Sequence, residues 1–224
     1  MIVFAILLGL LPSFAWLFFF LKEDIHPEPK KVIAVVFIAG IFSTFFALGL
    51  QFALRSILNS AQINNYSIFA FFGFGFIEEA LKFSAAYLII RKKVCFDEPI
   101  DAMIYMITAA LGFAMLENIA VLSNLKALSD AFSVITLRFV GATLLHALSS
   151  AIVGYYWAKS LLKIGNWKLE IFQGLAIATL LHATFNYFIL ISKEIIIYPT
   201  IFLIIAALFV FWDFEKIKKG EAHG

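Results

Sequence analysis

At 224 residues, 63% hydrophobic and 14% charged, with a mean hydropathy of +0.97, the chain carries far more apolar sequence than a water-soluble core of this size needs. The apolar residues fall in runs of about 20, the length that crosses a bilayer, so composition excludes a soluble domain and predicts a polytopic helical membrane protein. The net charge of +2 says less than where the positive charges lie, and the single cysteine, Cys95, has no disulfide partner within the chain.

Seven candidate spans follow from the apolar runs, at about 2–21, 32–54, 67–90, 100–122, 133–158, 169–191 and 196–212. No basic residue precedes the first and no small-residue cleavage pattern follows it, so it reads as a retained span. The connection Lys22–Lys31 contains Pro27 and Pro29, which stop a helix from continuing. Pro99, after Asp97 and Glu98, suits the first turn of the fourth helix, with acidic residues at its positive end. Once the spans are removed no soluble domain or low-complexity linker remains, so residues 1–224 are expected to form one membrane-embedded domain.

The third span holds Glu78, Glu79 and Lys82 near its middle. A lipid-facing charge at the bilayer centre costs about 2.5–3.5 kcal/mol, so the three must face an interior, a cavity or one another. Glu78 and Lys82 lie four apart with the acid N-terminal, the better order for an ion pair. The plain structural alternative is a Glu–Lys clasp that only locks helices together. Gly73 and Gly75, just before the carboxylates, are read as points of close helix approach.

Sorting the basic residues predicts orientation. Twelve follow the first, third, fifth and seventh spans, whereas Arg55, Lys126, Arg138 and Lys193 lie toward the opposite face. The excess predicts an outside N-terminus and a cytoplasmic C-terminus. With helices rising about 1.5 Å per residue, the remaining polar residues can then be placed by depth. Glu117 and Asn118 fall in the outer half of the fourth span, and His146 about halfway down the fifth. His182 falls about halfway up the sixth, with Asn186 one turn further and Arg138 near the outer rim. The six residues Ala142–Ala147 recur as Ala178–Ala183, each segment carrying one of the two histidines.

Convergence of two carboxylates, two imidazoles and an amide at one depth suits peptide hydrolysis. That reaction needs an activated water, donors for an oxyanion and a proton for the leaving amine. Taken singly, each residue has a bland reading. A lone His is more often a satisfied core residue, Asn186 is as readily interhelical glue, and Glu117 can simply bridge helices. The sequence has no His-Glu-x-x-His motif, no Gly-x-Ser-Gly around Ser149 or Ser150, and no Gly-x-Gly-Asp. Zinc stays open, because His146, His182 and Glu78 could supply three ligands.

Four elements together resemble the PrsW intramembrane proteases, relatives of the CAAX prenyl endopeptidases. They are Glu78-Glu79-x-x-Lys82, Phe113-Ala114-x-x-Glu117-Asn118, Arg138 followed at intervals of eight by His146 and Gly154, and His182-x-x-x-Asn186, spanning about residues 76–187. The resemblance implies an intramembrane endopeptidase of the kind that clips single-pass anti-sigma factors. It implies that Glu78 activates water, His146 assists, and His182 and Asn186 stabilise the oxyanion. Glu79 and Glu117 would tune charge or position, with Lys82, Asn118 and Arg138 in support. The family has been described both as metal-dependent and as glutamic. A metal-free site is expected here, with zinc as the alternative. Expected partners are a membrane-protein or lipidated-peptide substrate and the lipid bilayer, with no nucleic acid, in a prokaryotic cell membrane. The rival readings are an ion-coupled transporter or proton pathway, which would use the same buried Glu, His and Lys residues, and a non-catalytic scaffold of the same fold.

Overall fold

A computed structural model describes residues 2–125, 127–162, 166–191 and 197–221, excepting the side chains of residues 2, 128 and 221. Lys126, Lys163 and Lys193, part of the charge count above, lie outside the described residues. Within that range the chain is all-helical, in the order α1 (Ile2–Phe20), α2 (Lys30–Ser60), α3 (Ile68–Ile90), α4 (Pro99–Ser123), α5 (Leu128–Arg138), a π turn (Phe139–Thr143), α6 (Leu144–Leu161), α7 (Trp167–Ile191) and α8 (Ile197–Glu221). Six helical rods, with α5 to α6 counted as one, are long and apolar enough to cross a membrane. The remaining long helix, α3, has 23 residues and is set apart by its three central charges.

The ends of the helices follow local chemistry. Ser67 caps α3, its hydroxyl accepting from the Ala70 amide at 3.2 Å. Pro99 does begin α4, and the Asp101 carboxylate accepts from the Glu98 and Asp97 amides at 2.9 and 3.1 Å. Two helices outrun their apolar stretches. α2 continues through Arg55 to Ser60, and α8 continues past residue 212, where Lys216 lies 3.6 Å from the Trp212 ring centroid and Lys218 pairs with Glu23 at 2.8 Å. Long cationic side chains that fold back over aromatic or acidic neighbours let a helix run on into the polar zone.

The bundle is built around α4. Every residue from Ile100 to Met115 is buried, as expected of a helix that is apolar on all sides. α4 packs against α1, α2, α3 and α6. Its approach to α2 is the tightest: a Cβ on Gly112 would lie 2.0 Å from the Phe37 carbonyl oxygen, and one on Gly40 would lie 2.0 Å from that of Ala109. Two glycines facing across the interface bring the backbones together, the means by which membrane helices associate without a hydrophobic driving force.

Three of the four basic segments predicted to share one face of the membrane, 22–31, 91–98 and the end of α8, do share one end of the bundle. His26 Nδ1 lies 2.7 Å from Glu98 Oε1, Tyr105 donates to Glu28, and Lys218 reaches Glu23. The fifth apolar run is one rod, Ser129–Leu161, but not a uniform one. Between α5 and α6 the backbone widens into the π turn, and the Trp16 indole N–H of α1 donates to the Phe139 carbonyl at 2.9 Å while its ring stacks on that of Phe139. Such turns are rare and recur beside functional sites.

Candidate active site

Glu78, Glu79 and Lys82 lie midway along α3, and all three are buried. They face inward rather than toward lipid, as the cost of a midplane charge requires. The two adjacent carboxylates have different surroundings. Glu79, with no exposed surface, accepts from four donors: Lys82 Nζ, Ser149 Oγ and His182 Nδ1 each at 2.9 Å on Oε1, and Ser150 Oγ at 3.0 Å on Oε2. It ties α3 to α6 and α7.

Glu78 is nearly the opposite case. Its Oε1 accepts from Gln51 Nε2 of α2 at 2.9 Å, and its Oε2 is buried without a hydrogen bond. That oxygen faces three nitrogens just beyond hydrogen-bond reach: His182 Nε2 at 3.5 Å, Lys82 Nζ at 3.7 Å and His146 Nδ1 at 3.8 Å. A buried polar atom left over in an otherwise satisfied network marks a place for a water, an ion or a reacting group.

The partners fix the histidine tautomers. Lys82 Nζ lies 2.7 Å from His146 Nδ1; an ammonium only donates, so Nδ1 accepts and Nε2–H donates to Glu117 Oε2 at 2.9 Å. His182 gives Nδ1–H to Glu79, which leaves Nε2 turned toward Glu78. The two rings sit 5.2 Å apart at 75°, so the repeated six-residue segment does bring its two histidines together. Lys82, fully buried, also lies 4.8 Å from the Phe113 ring centroid, a cation–π contact beneath the ion pair.

Around the rim, Arg138 donates from Nε to Asn118 Oδ1 and from an Nη to Glu117 Oε2, the latter at 3.2 Å. Asn118 in turn donates to Thr143 Oγ1 at 3.1 Å, inside the π turn. Arg138 and His146 thus meet the same oxygen of Glu117. Eight residues of ideal α-helix turn through about 800° and would leave them roughly 80° apart. The π turn between them rotates less per residue and brings both onto one face.

Asn186 stands apart from this network. Half-buried on α7, it makes no hydrogen bond among the described residues and lines a groove of about 400 Å³ between the π turn, α7 and α8. Arg138 is on the same wall, and the rest of the lining is mainly apolar, including Leu137, Val140, Phe185 and Ile189. The groove adjoins the buried network through Arg138.

Sequence reasoning missed Gln51, Ser149 and Ser150 as parts of this centre. Gln51 had a signal, as the polar residue in the late part of a strongly apolar span. The serines sit in no nucleophile motif, and their position as donors to Glu79 depends on how α6 packs on α3.

The donor set also fits a metal ion. Glu78, His146 and His182 each offer an atom within 4.8 Å of the others, and two histidines with a glutamate are a known catalytic zinc set. The unpartnered Glu78 Oε2 and the outward Nε2 of His182, with its Nδ1–H on Glu79, agree with such a site.

A helical membrane bundle that seals paired carboxylates and imidazoles at mid-depth, beside an apolar groove, has the layout of an intramembrane peptidase. The chain belongs to the PrsW family: residues 28–212 match the family model described as "PrsW family intramembrane metalloprotease". It is 28% identical over 218 residues to Protease PrsW of Bacillus subtilis strain 168, covering 96% of this chain and 94% of that protein. It is 25% identical over 217 residues to Protease PrsW of Geobacillus kaustophilus, covering 96% and 91%. A third relative, Protease PrsW of Clostridioides difficile strain 630, is 24% identical over 225 residues, covering 97% and 91%. No solved structure matches the chain. The resemblance drawn from the four sequence elements is thereby borne out at the level of family, protease activity and a multi-pass membrane protein with bacterial relatives.

Proposed function

We propose that the chain hydrolyses a peptide bond of a membrane-protein substrate with a water activated by Glu78. The observation that carries this reading is the buried, unpartnered Oε2 of Glu78 facing His182 Nε2, with Oε1 already held by Gln51. A water resting on Oε2 gives it a proton as the water oxygen adds to the scissile carbonyl carbon. The carbon–nitrogen bond then breaks, and the same proton passes from Glu78 to the leaving amine. His182, backed by the Glu79 carboxylate, stabilises the oxyanion from Nε2 when that nitrogen carries a proton, and the unused amide of Asn186 supplies a second donor from the groove.

In this reading Glu79 is a positioning residue that holds His182, Lys82 and α6 in place. His146, engaged at both nitrogens, links Lys82 to Glu117, and Arg138 and Asn118 hold Glu117. The substrate class is a single-pass membrane protein whose segment enters through the apolar groove. An anti-sigma factor is the candidate that resemblance to the family supplies. The orientation we propose is N-terminus outside and C-terminus in the cytoplasm, supported by the basic loops gathered at one end of the bundle.

A metal-assisted version rests on the same residues. An ion held by Glu78, His146 and His182 would act as a Lewis acid on the water and the carbonyl. We favour the metal-free version because the Lys82 ammonium already occupies the His146 nitrogen that faces Glu78.

The test compares membrane-protein N-termini in cells carrying wild type or Glu78→Gln. New N-termini near one membrane boundary, present only with wild type, are the expected result. Identical profiles with both proteins stably inserted would overturn the proposal.

A further inference from the structure

We infer that Gln51 is a positioning residue for the reaction: its side-chain amide holds one oxygen of Glu78 so that the other stays free to take the water proton. This rests on the proposed role of Glu78 and assigns the means by which that role is kept available. Gln51 lies on α2, 27 positions before Glu78, and its Nε2–H to Oε1 at 2.9 Å is the only hydrogen bond of that carboxylate among the described residues.

The reason a tether is needed lies within α3 itself. Glu78 and Lys82 are four apart with the acid first, the arrangement that closes most readily into a helical ion pair. Here they form only a loose ion pair with no hydrogen bond: Lys82 Nζ stops 3.7 Å from Glu78 Oε2 and spends its hydrogen bonds on Glu79 and His146. A Glu78 released from α2 is free to rotate onto Lys82, and its reactive oxygen would then be consumed in a hydrogen-bonded ion pair. Gln51 prevents that collapse from a different helix, so the spacing between α2 and α3 sets the pose of the base. The bland alternative is that Gln51 is ordinary interhelical glue, whose loss weakens the bundle and nothing else.

The two differ in what they do to turnover. The experiment places the full chain in proteoliposomes with an epitope-tagged single-pass membrane protein that the comparison of N-termini has identified as cleaved by wild type, and compares wild type, Gln51→Leu, Gln51→Met and Glu78→Gln. Both Gln51 variants are expected to lose roughly tenfold or more in kcat with KM within about twofold of wild type and an unchanged melting temperature. Wild-type kcat in either variant overturns the inference. So does a loss confined to KM, or a loss of kcat that follows a lowered melting temperature, since each assigns Gln51 to packing. An active Glu78→Gln protein would overturn the underlying mechanism instead. An inactive Glu78→Gln beside fully active Gln51 variants would overturn this inference alone.

Discussion

Replacing Lys82 with methionine should unfold this protein far more readily than any other single loss of a cation. Lys82 has no exposed surface and donates to Glu79 at 2.9 Å and His146 at 2.7 Å, with Glu78 at 3.7 Å. Methionine is unbranched, one atom shorter and close in volume, so what chiefly disappears is the charged ammonium. Glu79 is then a buried carboxylate with no cation in contact, a defect worth about 3–5 kcal/mol. Lys159→Met is the control. Its pair with Glu170 is just as short at 2.9 Å but partly exposed, so its loss should cost no more than about 1 kcal/mol. Equilibrium unfolding of the purified variants in a mild detergent, followed by circular dichroism, measures both. A third protein, Lys82→Met with Glu79→Gln, removes both charges and should recover part of the loss, because no buried charge is then left unpaired and the double loss is smaller than the sum of the single ones. If Lys82→Met and Lys159→Met unfold at the same point, the buried network does not hold the bundle together as argued.

Two further outcomes are expected. Gly112→Val should cost at least about 3 kcal/mol, or prevent folding, because its side chain would have to displace the Phe37 carbonyl, whereas Gly49→Ala, with nothing within 4 Å of the added carbon, should unfold like wild type. Treatment with a strong zinc chelator such as 1,10-phenanthroline should leave proteolysis within about twofold of the untreated enzyme. Loss of activity that zinc restores would instead assign Glu78, His146 and His182 as metal ligands.

Much of the site could be seen in the sequence because a bilayer makes polar residues conspicuous. Glu78, Glu79, Lys82, Glu117, His146 and His182 stood out as costly groups at similar depth, and depth follows directly from counting residues along a helix. What counting cannot provide is the direction in which each group points. Glu78 and Glu79 are neighbours about 100° apart on one helix. That one is saturated by four donors and the other left open depends on where α2, α6 and α7 lie around α3. Asn186 had the right depth and the right helix, yet it faces the groove and takes no part in the hydrogen-bonded network. The widened turn after Arg138 is a backbone event, and Phe-Val-Gly-Ala-Thr carries no side-chain pattern that announces it.

That turn also bears on chain length. An extra residue looped into a wide helical turn makes an eight-residue interval behave like one of seven, since seven residues of regular α-helix return to within about 20° of the starting direction. Shortening the chain by one residue inside 139–143 would let the rod become regular and still present Arg138 and the histidine beyond it to Glu117. The same deletion in the middle of α4, where every side is packed, would turn everything beyond it by about 100° and take Glu117 away from both partners. A one-residue change in length would therefore be absorbed most easily at the π turn, with the face that carries Arg138 and His146 unmoved.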